Sequence, residues 1–207
     1  MALYLDTADV DKARRGASLG FLAGLTTNPA LLARAGGEPA DVIAALCAAM
    51  PGMVFHQVIA APGPELDAEI ERYRAISDRI GFKFPCTLDH LRAVHALAGQ
   101  GPLCAVTAVF DAAQAYLAAE AGADYAIPYV NRTTRLCGSG PALVADMAAV
   151  LKGTGCDILA ASIKDPAEAV AALQAGARHL TVSWRVIEEM AAHRLTEMAL
   201  ADFAAAR

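Results

Sequence analysis

Short apolar segments alternate along this chain with longer, alanine-rich segments whose apolar residues recur at helical spacing. In Glu65–Ile76, for example, Leu66, Ile70 and Tyr73 fall on one face of a helix, and charged residues fill the other face. Eight of the short segments have the composition of buried strands: Leu3–Asp6, Ala23–Thr26, Met53–Ile59, Ile80–Phe84, Leu103–Thr107, Tyr125–Pro128, Ile158–Ser162 and His179–Val182. The pattern therefore predicts eight β-strands separated by helices.

Further helical segments, Ala112–Ala121 and Pro166–Ala175, lie between predicted strands, and Leu195–Ala206 follows the last strand. Eight consecutive strand–helix units without a nucleotide-binding fingerprint favour an α/β fold, a closed (β/α)₈ TIM barrel with an extra C-terminal helix. A doubly wound open sheet is the structural alternative at this point. Because no linker, charge block or low-complexity segment divides the chain, we expect residues 1–207 to form one domain.

Composition and charge exclude several classes of function. Lysine and arginine number 17 against 22 aspartates and glutamates, and this net charge of −5 provides no basic surface for nucleic acid. Apolar stretches such as Val42–Met50 are shorter than the ~18 residues of a membrane span. The N-terminus carries Asp6, Asp9 and Asp11 where a secretory signal has a basic start and an apolar run. We therefore expect a cytoplasmic protein whose partners are neither nucleic acid nor membrane.

Cysteine and histidine positions do not indicate a metal site. The five cysteines are widely spaced and mostly flanked by apolar residues, so we interpret them as small core residues: Cys47, Cys86, Cys104, Cys137 and Cys156. His90 and His95 are five residues apart and do not share a helix face. His56 lies next to Gln57 and is expected to point to the opposite side of its strand. We predict neither a metal nor a cofactor.

Polar residues follow seven consecutive apolar strands, at the point where each strand ends. They are Asp6, then Thr26 with Asn28, Gln57, Lys83, Thr107, Tyr129 with Arg132, and Ser162 with Lys164. In a (β/α)₈ barrel the C-terminal ends of the strands meet over the packed interior, where active sites lie. These side chains are therefore the candidates for chemistry.

Lys83 is the most informative of these candidates, because the chain contains only four lysines. It stands between Phe82 and Phe84 in a predicted strand, where burial lowers the pKa of an ammonium toward the range in which a neutral amine attacks a carbonyl. This is the chemistry of a Schiff base. The alternative is a structural lysine whose stem packs on the sheet while its head reaches solvent or pairs with an acid such as Asp6.

The chain resembles the small transaldolase-like proteins and, within them, the fructose-6-phosphate aldolases. The resemblance is carried in order by LYLDTADV, LAGLTTNPALL, FKFPCT, TAVFDAAQAYLAAEAGADYAIPYVNR, GSG and ILAASIKDP. It implies a (β/α)₈ barrel and a class I, metal-free aldol mechanism with Lys83 as the Schiff-base lysine. The implied reaction cleaves or forms fructose 6-phosphate from dihydroxyacetone and glyceraldehyde 3-phosphate. The implied assembly is a pentamer or decamer; relatives use a tail beyond the final helix in ring-like assembly, and this chain ends at Arg207 with that tail trimmed.

The resemblance also implies a role for each other strand-end residue. Asp6 matches an acid that hydrogen-bonds a substrate hydroxyl and the reactive amine. Gln57 and Thr107 match a pair that holds a catalytic water, and Tyr129 matches the general acid/base.

The expected substrate-binding residues lie beside these positions. Thr26 and Asn28 belong to the TTNP motif, in which the asparagine binds the donor. Arg132 matches a phosphate-binding arginine, and Ser162 matches a serine that binds a donor hydroxyl or phosphate.

Two other functions are open on this resemblance. One is a transaldolase, which transfers the three-carbon fragment to another aldose phosphate; such enzymes typically carry glutamate at position 57 and phenylalanine at position 129. The other is a non-catalytic barrel that binds a phosphosugar. The chain departs from the family pattern at Ala105, Phe110 and Ile127. Thr134 also replaces an acidic residue that is common in relatives, which leaves Arg135 as a second cation, so the shape of the pocket does not follow from the resemblance.

Overall fold

Eight parallel strands close into a barrel in the computed structural model, which describes residues 1–206. The strands are β1 (Ala2–Asp6), β2 (Gly24–Thr26), β3 (Met53–Gln57), β4 (Ile80–Pro85), β5 (Cys104–Val109), β6 (Tyr125–Pro128), β7 (Asp157–Ile163) and β8 (His179–Val182). They pair in chain order, and β8 pairs with β1 through the register Leu3 to Leu180. This closure confirms the predicted TIM barrel and excludes the open sheet.

Helices follow the strands on the outside of the barrel. They are α1 (Val10–Ser18), α2 (Pro29–Ala35), α3 (Pro39–Ala49), α4 (Pro64–Arg74), α5 (Leu88–Leu97), α6 (Ala112–Glu120), α7 (Val130–Cys137), α8 (Gly140–Val150), α9 (Pro166–Gln174), α10 (Trp184–Ala191) and α11 (Arg194–Ala205). The last of these is the predicted C-terminal helix, shifted by one residue. No helix within the described residues has the length and apolarity needed to cross a membrane.

Side-chain caps fix where several helices begin. Asp9, Asn28, Thr87, Asp111 and Asp165 each accept a hydrogen bond from a backbone N–H in the first turn of the helix that follows. Each cap lies a few residues after the end of a strand, so the connections on this side of the barrel are short. The first turns of these helices therefore lie close to the strand ends.

Strand limits differ from the predicted ones where side chains interrupt or distort the ladder. β3 ends at Gln57 rather than Ile59, because the backbone N–H groups of Ile59 and Ala60 donate to the carboxylate of Glu69 instead of to a strand. β5 and β7 run past their predicted ends through bulges, between Thr107 and Val109 and between Ala160 and Ile163. Side-chain competition and bulges are tertiary features that a local pattern does not contain.

Two packed regions stabilise the barrel. The larger one lies between the strands and the helices and includes Leu5, Val54 and Phe82. The second, which we call the interior cluster, fills the barrel and consists of Tyr4, Phe55, Ala105, Ile127, Leu159 and Ala161. The interpretation of the cysteines as core residues fits Cys47, Cys104 and Cys156, which are buried, and Cys86, which is half-buried, but is wrong for the exposed Cys137.

Gly81 makes room for the Phe55 ring of the interior cluster. A Cβ atom at this position would lie 2.6 Å from Cε1 of Phe55, closer than real Cβ contacts allow. The Phe55 ring meets the rings of Tyr4 and Tyr125 edge to face, with centroids 5.7 Å and 5.8 Å away. These aromatic rings fill the barrel interior toward its N-terminal end.

Candidate active site

A layer of polar side chains lies above the interior cluster. Asp6, Gln57, Thr107 and Tyr129 each come two positions after a member of that cluster, and Lys83 comes two positions after Gly81. Residues two apart on a strand face the same side, so these side chains point into the barrel at its C-terminal end. We call Asp6, Thr26, Gln57, Lys83, Thr107 and Tyr129 the polar layer.

Lys83 is buried, with 5% of its surface exposed. Among residues 1–206 it forms no salt bridge, although the charge of Asp6 acts on it. Burial lowers the pKa of Lys83 to about 8, and the nearby Asp6 carboxylate acts in the opposite direction. The neutral fraction of this amine near neutral pH is therefore much larger than that of an ordinary lysine, and a neutral amine is a nucleophile.

Asp6 is held by a chain of hydroxyl groups. The Thr26 hydroxyl donates to Oδ1 of Asp6 over 2.9 Å, which leaves it to accept from the Thr181 hydroxyl over 2.6 Å. The predicted substrate-binding residue Thr26 is thus hydrogen-bonded within the protein. Sequence reasoning missed Thr181, although a polar residue at an inward position of the short strand β8 could have indicated it.

Gln57 lies beside Lys83, because the two residues are partners in the register between β3 and β4. Its side-chain oxygen, Oε1, is buried and has no hydrogen-bond partner among the described residues. A buried amide oxygen without a partner costs free energy, so such groups in native proteins are met by ordered water or a ligand. The amide is therefore suited to hold a water molecule or a substrate hydroxyl near the amine.

Tyr129 is surrounded by three side chains at the top of β6. The Thr107 hydroxyl donates to the phenol oxygen over 3.4 Å, and the Phe110 ring meets the tyrosine ring edge to face at a centroid distance of 5.8 Å. The guanidinium carbon of Arg132 lies 4.9 Å from the centroid of the same ring. Phe110, one of the departures from the family pattern, thus packs directly against the predicted acid/base.

Two residues at this end of the barrel have left-handed backbone conformations. Ala108 has φ of 58° and Ser162 has φ of 61°, and each lies in a bulge of its strand. Residues other than glycine rarely adopt this conformation, and such strain concentrates at functional sites. The bulges turn the chain just after Thr107 and Ala161, and Ser162 lies in the second bulge near the C-terminal end of β7.

The other predicted binding residues lie around the polar layer. Asn28 caps α2 by accepting from the Leu31 N–H over 3.0 Å, and this bond uses the side-chain oxygen and not the amide NH₂ group. Arg132 is exposed in the first turn of α7, and Arg135 follows one turn later on the same helix. Lys164 is also exposed, so it lacks the burial that makes Lys83 a nucleophile.

The described residues contain no group of three or more histidine, cysteine, aspartate or glutamate side chains arranged to hold a metal ion. His90 and His95 point to different surroundings: His90 bonds the helix cap Thr87 through Nδ1, and His95 lies in the last turn of α5. The polar layer itself offers one carboxylate, one amine, one amide and three hydroxyl groups. That set of groups can form a covalent adduct with a ketone and move protons on it.

The sequence matches known proteins over nearly its whole length. The family described as Transaldolase/Fructose-6-phosphate aldolase matches residues 3–207. A protein of Desulforudis audaxviator named "Probable transaldolase" is 38% identical over 205 residues, which cover 98% of this chain and 95% of that protein. Proteins of the same name from Pelotomaculum thermopropionicum and Moorella thermoacetica are each 36% identical, and the matches cover 98% and 99% of this chain and 95% and 96% of theirs. This chain therefore belongs to the transaldolase/fructose-6-phosphate aldolase family, and it is an enzyme of the transaldolase or aldolase type.

Proposed function

We propose that the protein is a class I aldolase, an aldehyde-lyase, that cleaves fructose 6-phosphate to dihydroxyacetone and glyceraldehyde 3-phosphate or catalyses related aldol reactions of small ketones. The observation that carries the proposal is the buried amine of Lys83, whose pKa is lowered to about 8, beside the amide of Gln57. This amine supplies the nucleophile, and the other side chains of the polar layer supply groups that can move protons. No metal or cofactor takes part in the proposed mechanism.

Cleavage begins when neutral Lys83 attacks the ketone carbonyl at C2 of the sugar. Loss of water gives an iminium ion, which accepts the electron pair of the bond between C3 and C4. Tyr129 removes the proton from the C4 hydroxyl, directly or through a water held by Gln57 and Thr107, as that bond breaks. Glyceraldehyde 3-phosphate leaves, and the three-carbon fragment remains on Lys83 as an enamine.

Release of the fragment reverses these proton transfers. The enamine takes a proton at its carbon, and water adds to the resulting iminium ion and displaces the lysine. Tyr129 supplies the proton by the same route by which it was removed, so Lys83 returns to its starting state with free dihydroxyacetone as the product. Asp6 is positioned by Thr26 to accept a hydrogen bond from a hydroxyl of the fragment and to stabilise the charged amine.

The substrate phosphate binds at the rim in this proposal. Arg132 is exposed on α7 and forms a charge-assisted contact with the phosphate. Asn28 and Ser162 bind hydroxyl groups of the donor, and Thr26 acts on the substrate through Asp6.

Two residues favour an aldolase over a transaldolase. Transaldolases of this superfamily typically carry glutamate and phenylalanine where this chain has Gln57 and Tyr129. A carboxylate at position 57 can move a proton through the bound water, whereas an amide only orients that water, which leaves proton transfer to Tyr129. With its proton donor at Tyr129, the enzyme can protonate the enamine and release the fragment without an acceptor.

Transaldolase is the second candidate, because the relatives with 36–38% identity carry the name "Probable transaldolase". In that reaction the same Lys83 adduct forms, but the enamine attacks the aldehyde of a second aldose phosphate before it is released. The two candidates thus share the lysine and differ in the fate of the enamine.

The deciding experiment measures free dihydroxyacetone from fructose 6-phosphate with and without erythrose 4-phosphate. We expect release without an acceptor, and we expect Gln57→Glu to raise transfer relative to release. Efficient transfer with no free dihydroxyacetone from the wild type would support the transaldolase instead. EDTA should leave the rate unchanged, because the iminium ion takes the place of a metal as electron acceptor.

We also propose that residues 1–207 act as one domain in a cytoplasmic homo-oligomer, a pentamer or a decamer. Helix α11 supports this, since it buries none of its side chains and exposes Leu195, Met198, Leu200 and Phe203. Light scattering coupled to size-exclusion chromatography tests the subunit number, and a monomer at micromolar concentration contradicts the proposal.

A further inference from the structure

A buried polar cluster lies on the outer side of β3, directly behind Gln57. His56 points away from the barrel interior, and its Nε2–H donates to Oε1 of Glu69 over 2.8 Å. The imidazole stacks on the Tyr73 ring with 3.7 Å between centroids, and only 2% of the His56 side chain is exposed. We call His56, Glu69 and Tyr73 the outer cluster.

The Glu69 carboxylate makes further bonds that end strand β3. It accepts from the backbone N–H of Ala60 over 2.8 Å and from that of Ile59 over 3.2 Å. Burial raises the pKa of Glu69, but the hydrogen bonds from His56 and the two amides outweigh burial and hold it below its ordinary value. The ionised Glu69 carboxylate is thus hydrogen-bonded to His56, just before Gln57, and to the backbone of Ile59 and Ala60, just after it.

These bonds fix the backbone on both sides of Gln57. In the plane of the sheet, the Val58 N–H donates to the Lys83 carbonyl over 3.0 Å, and this bond fixes the spacing between β3 and β4 just after Gln57. The exposed segment after Val58 has no further strand to pair with, and Ile59 itself is 71% exposed. Glu69 therefore supplies the hydrogen-bond acceptor for the backbone N–H groups of Ile59 and Ala60, where the chain leaves the barrel.

We propose that Glu69, together with His56, is a positioning residue that sets the orientation of the Gln57 amide toward the reacting atoms next to Lys83. The inference rests on the proposed function, because it concerns the water that Gln57 holds during proton transfer. In this proposal Glu69 does not touch the substrate, and it acts through the His56 side chain and through the backbone N–H groups of Ile59 and Ala60. It should therefore affect the proton-transfer steps and leave formation of the iminium ion on Lys83 unchanged.

The test uses variants of the full-length protein. Glu69→Leu removes all the hydrogen bonds of the carboxylate while it keeps the side chain's approximate size. Glu69→Gln is the rescue variant, since its amide oxygen accepts from the backbone and its NH₂ donates to His56 in the other tautomer. His56→Phe keeps the stack on Tyr73 and removes one bond, and Tyr73→Leu is the matched control that disturbs the same helix and keeps the bonds of Glu69.

Two readouts separate positioning from stability. We expect Glu69→Leu to lower the turnover number by about 10-fold to 100-fold, as for a misplaced catalytic group, with a small change in KM. The yield of borohydride-trapped adduct on Lys83 should remain that of the wild type, and Glu69→Gln should restore most of the turnover. Tyr73→Leu should lower the unfolding temperature with little effect on turnover per folded molecule.

A double-variant cycle makes the link to Gln57 explicit. If Glu69 acts through Gln57, Glu69→Leu should change turnover less than twofold in a Gln57→Ala background. The inference fails if the two effects multiply in full, or if trapping and turnover fall together in Glu69→Leu. Absence of any trapped adduct in the wild type is a different result, because it removes the proposed function itself.

Discussion

The guanidinium of Arg132 lies over the ring of Tyr129, with 4.9 Å between its carbon and the ring centroid. Arg132, the proposed phosphate-binding residue, and Tyr129, the proposed acid/base, are therefore in direct contact. Such a contact between an exposed cation and an aromatic ring contributes about 0.5–1 kcal/mol. Substitution of Arg132 should therefore cause a large loss in phosphate binding and a small loss from the missing contact with the Tyr129 ring.

We expect Arg132→Ala to lower kcat/KM strongly for phosphorylated substrates and slightly for unphosphorylated ones. A charge-assisted hydrogen bond to phosphate contributes about 1.5–3 kcal/mol, which is roughly a 10-fold to 100-fold loss in kcat/KM. The comparison of glyceraldehyde 3-phosphate with glyceraldehyde in the synthetic direction measures the difference. Arg135→Ala is the control, and equal losses for both aldehydes in Arg132→Ala would move the phosphate site, with Arg135 as the first candidate.

Tyr129→Phe should remove the acid/base while it keeps the ring that Phe110 and Arg132 contact. Loss of a general acid/base costs on the order of 10²–10⁴ in rate. The adduct on Lys83 should still be trapped by borohydride, because iminium formation does not need the C4 proton transfer. Tyr125→Phe, deeper in the barrel, is the matched control and should keep nearly full activity. Equal losses in the two variants would contradict the assignment.

The rate of adduct formation on Lys83 should rise with pH between about 7 and 9, because the pKa of its amine is lowered to about 8 and only the neutral amine attacks. Borohydride trapping with dihydroxyacetone, followed by peptide mass spectrometry, measures it. Asp6→Asn removes a charge that raises this pKa, so the midpoint should move to lower pH. A midpoint near that of an ordinary lysine, or an adduct on Lys164, would rule out the mechanism.

Lys83→Met should stabilise the fold at pH 7. The lowering of the pKa of Lys83 from 10.5 to about 8 means that the buried ammonium is unfavourable by about 3 kcal/mol below pH 8. As pH rises from about 8 to 10.5, the folded protein loses this proton before the unfolded chain does, so wild-type stability rises and the difference should shrink. Urea unfolding of both proteins measures it, with exposed Lys152→Met as the control; an unstable Lys83→Met would contradict the cost of burial.

Gly81→Ala should destabilise the barrel by about 1–3 kcal/mol, the usual cost of overpacking. The added methyl group would lie 2.6 Å from Cε1 of Phe55, inside the interior cluster. The double variant Gly81→Ala with Phe55→Leu should recover part of the loss, because leucine leaves space for the methyl group. Gly155→Ala, at an open position, is the control in the same urea experiment. No change in Gly81→Ala would show that the cluster is loosely packed.

Much of the fold follows from local pattern. Short apolar segments and helical spacing are properties of neighbouring residues, so the eight strands and the C-terminal helix could be predicted within a few positions. The position of polar residues at strand ends likewise made Asp6, Gln57, Lys83 and Tyr129 candidates, and in the structure each lies on the inward-facing side of its strand. Phe82 and Phe84 beside Lys83 indicated burial and hence a lowered pKa, which the structure bears out.

Contacts between residues far apart in the chain were decided only by the tertiary structure. Thr181 reaches Thr26 across 155 positions because β8 closes on β1, and no local pattern contains that pairing. The sequence likewise gave no indication that Glu69 ends β3, or that bulges place Ala108 and Ser162 in left-handed conformations. The sequence determines which residues face inward, because side chains alternate between the two faces along a strand. The tertiary structure decides which of these residues touch, because closure of the barrel sets the register and the distances between strands.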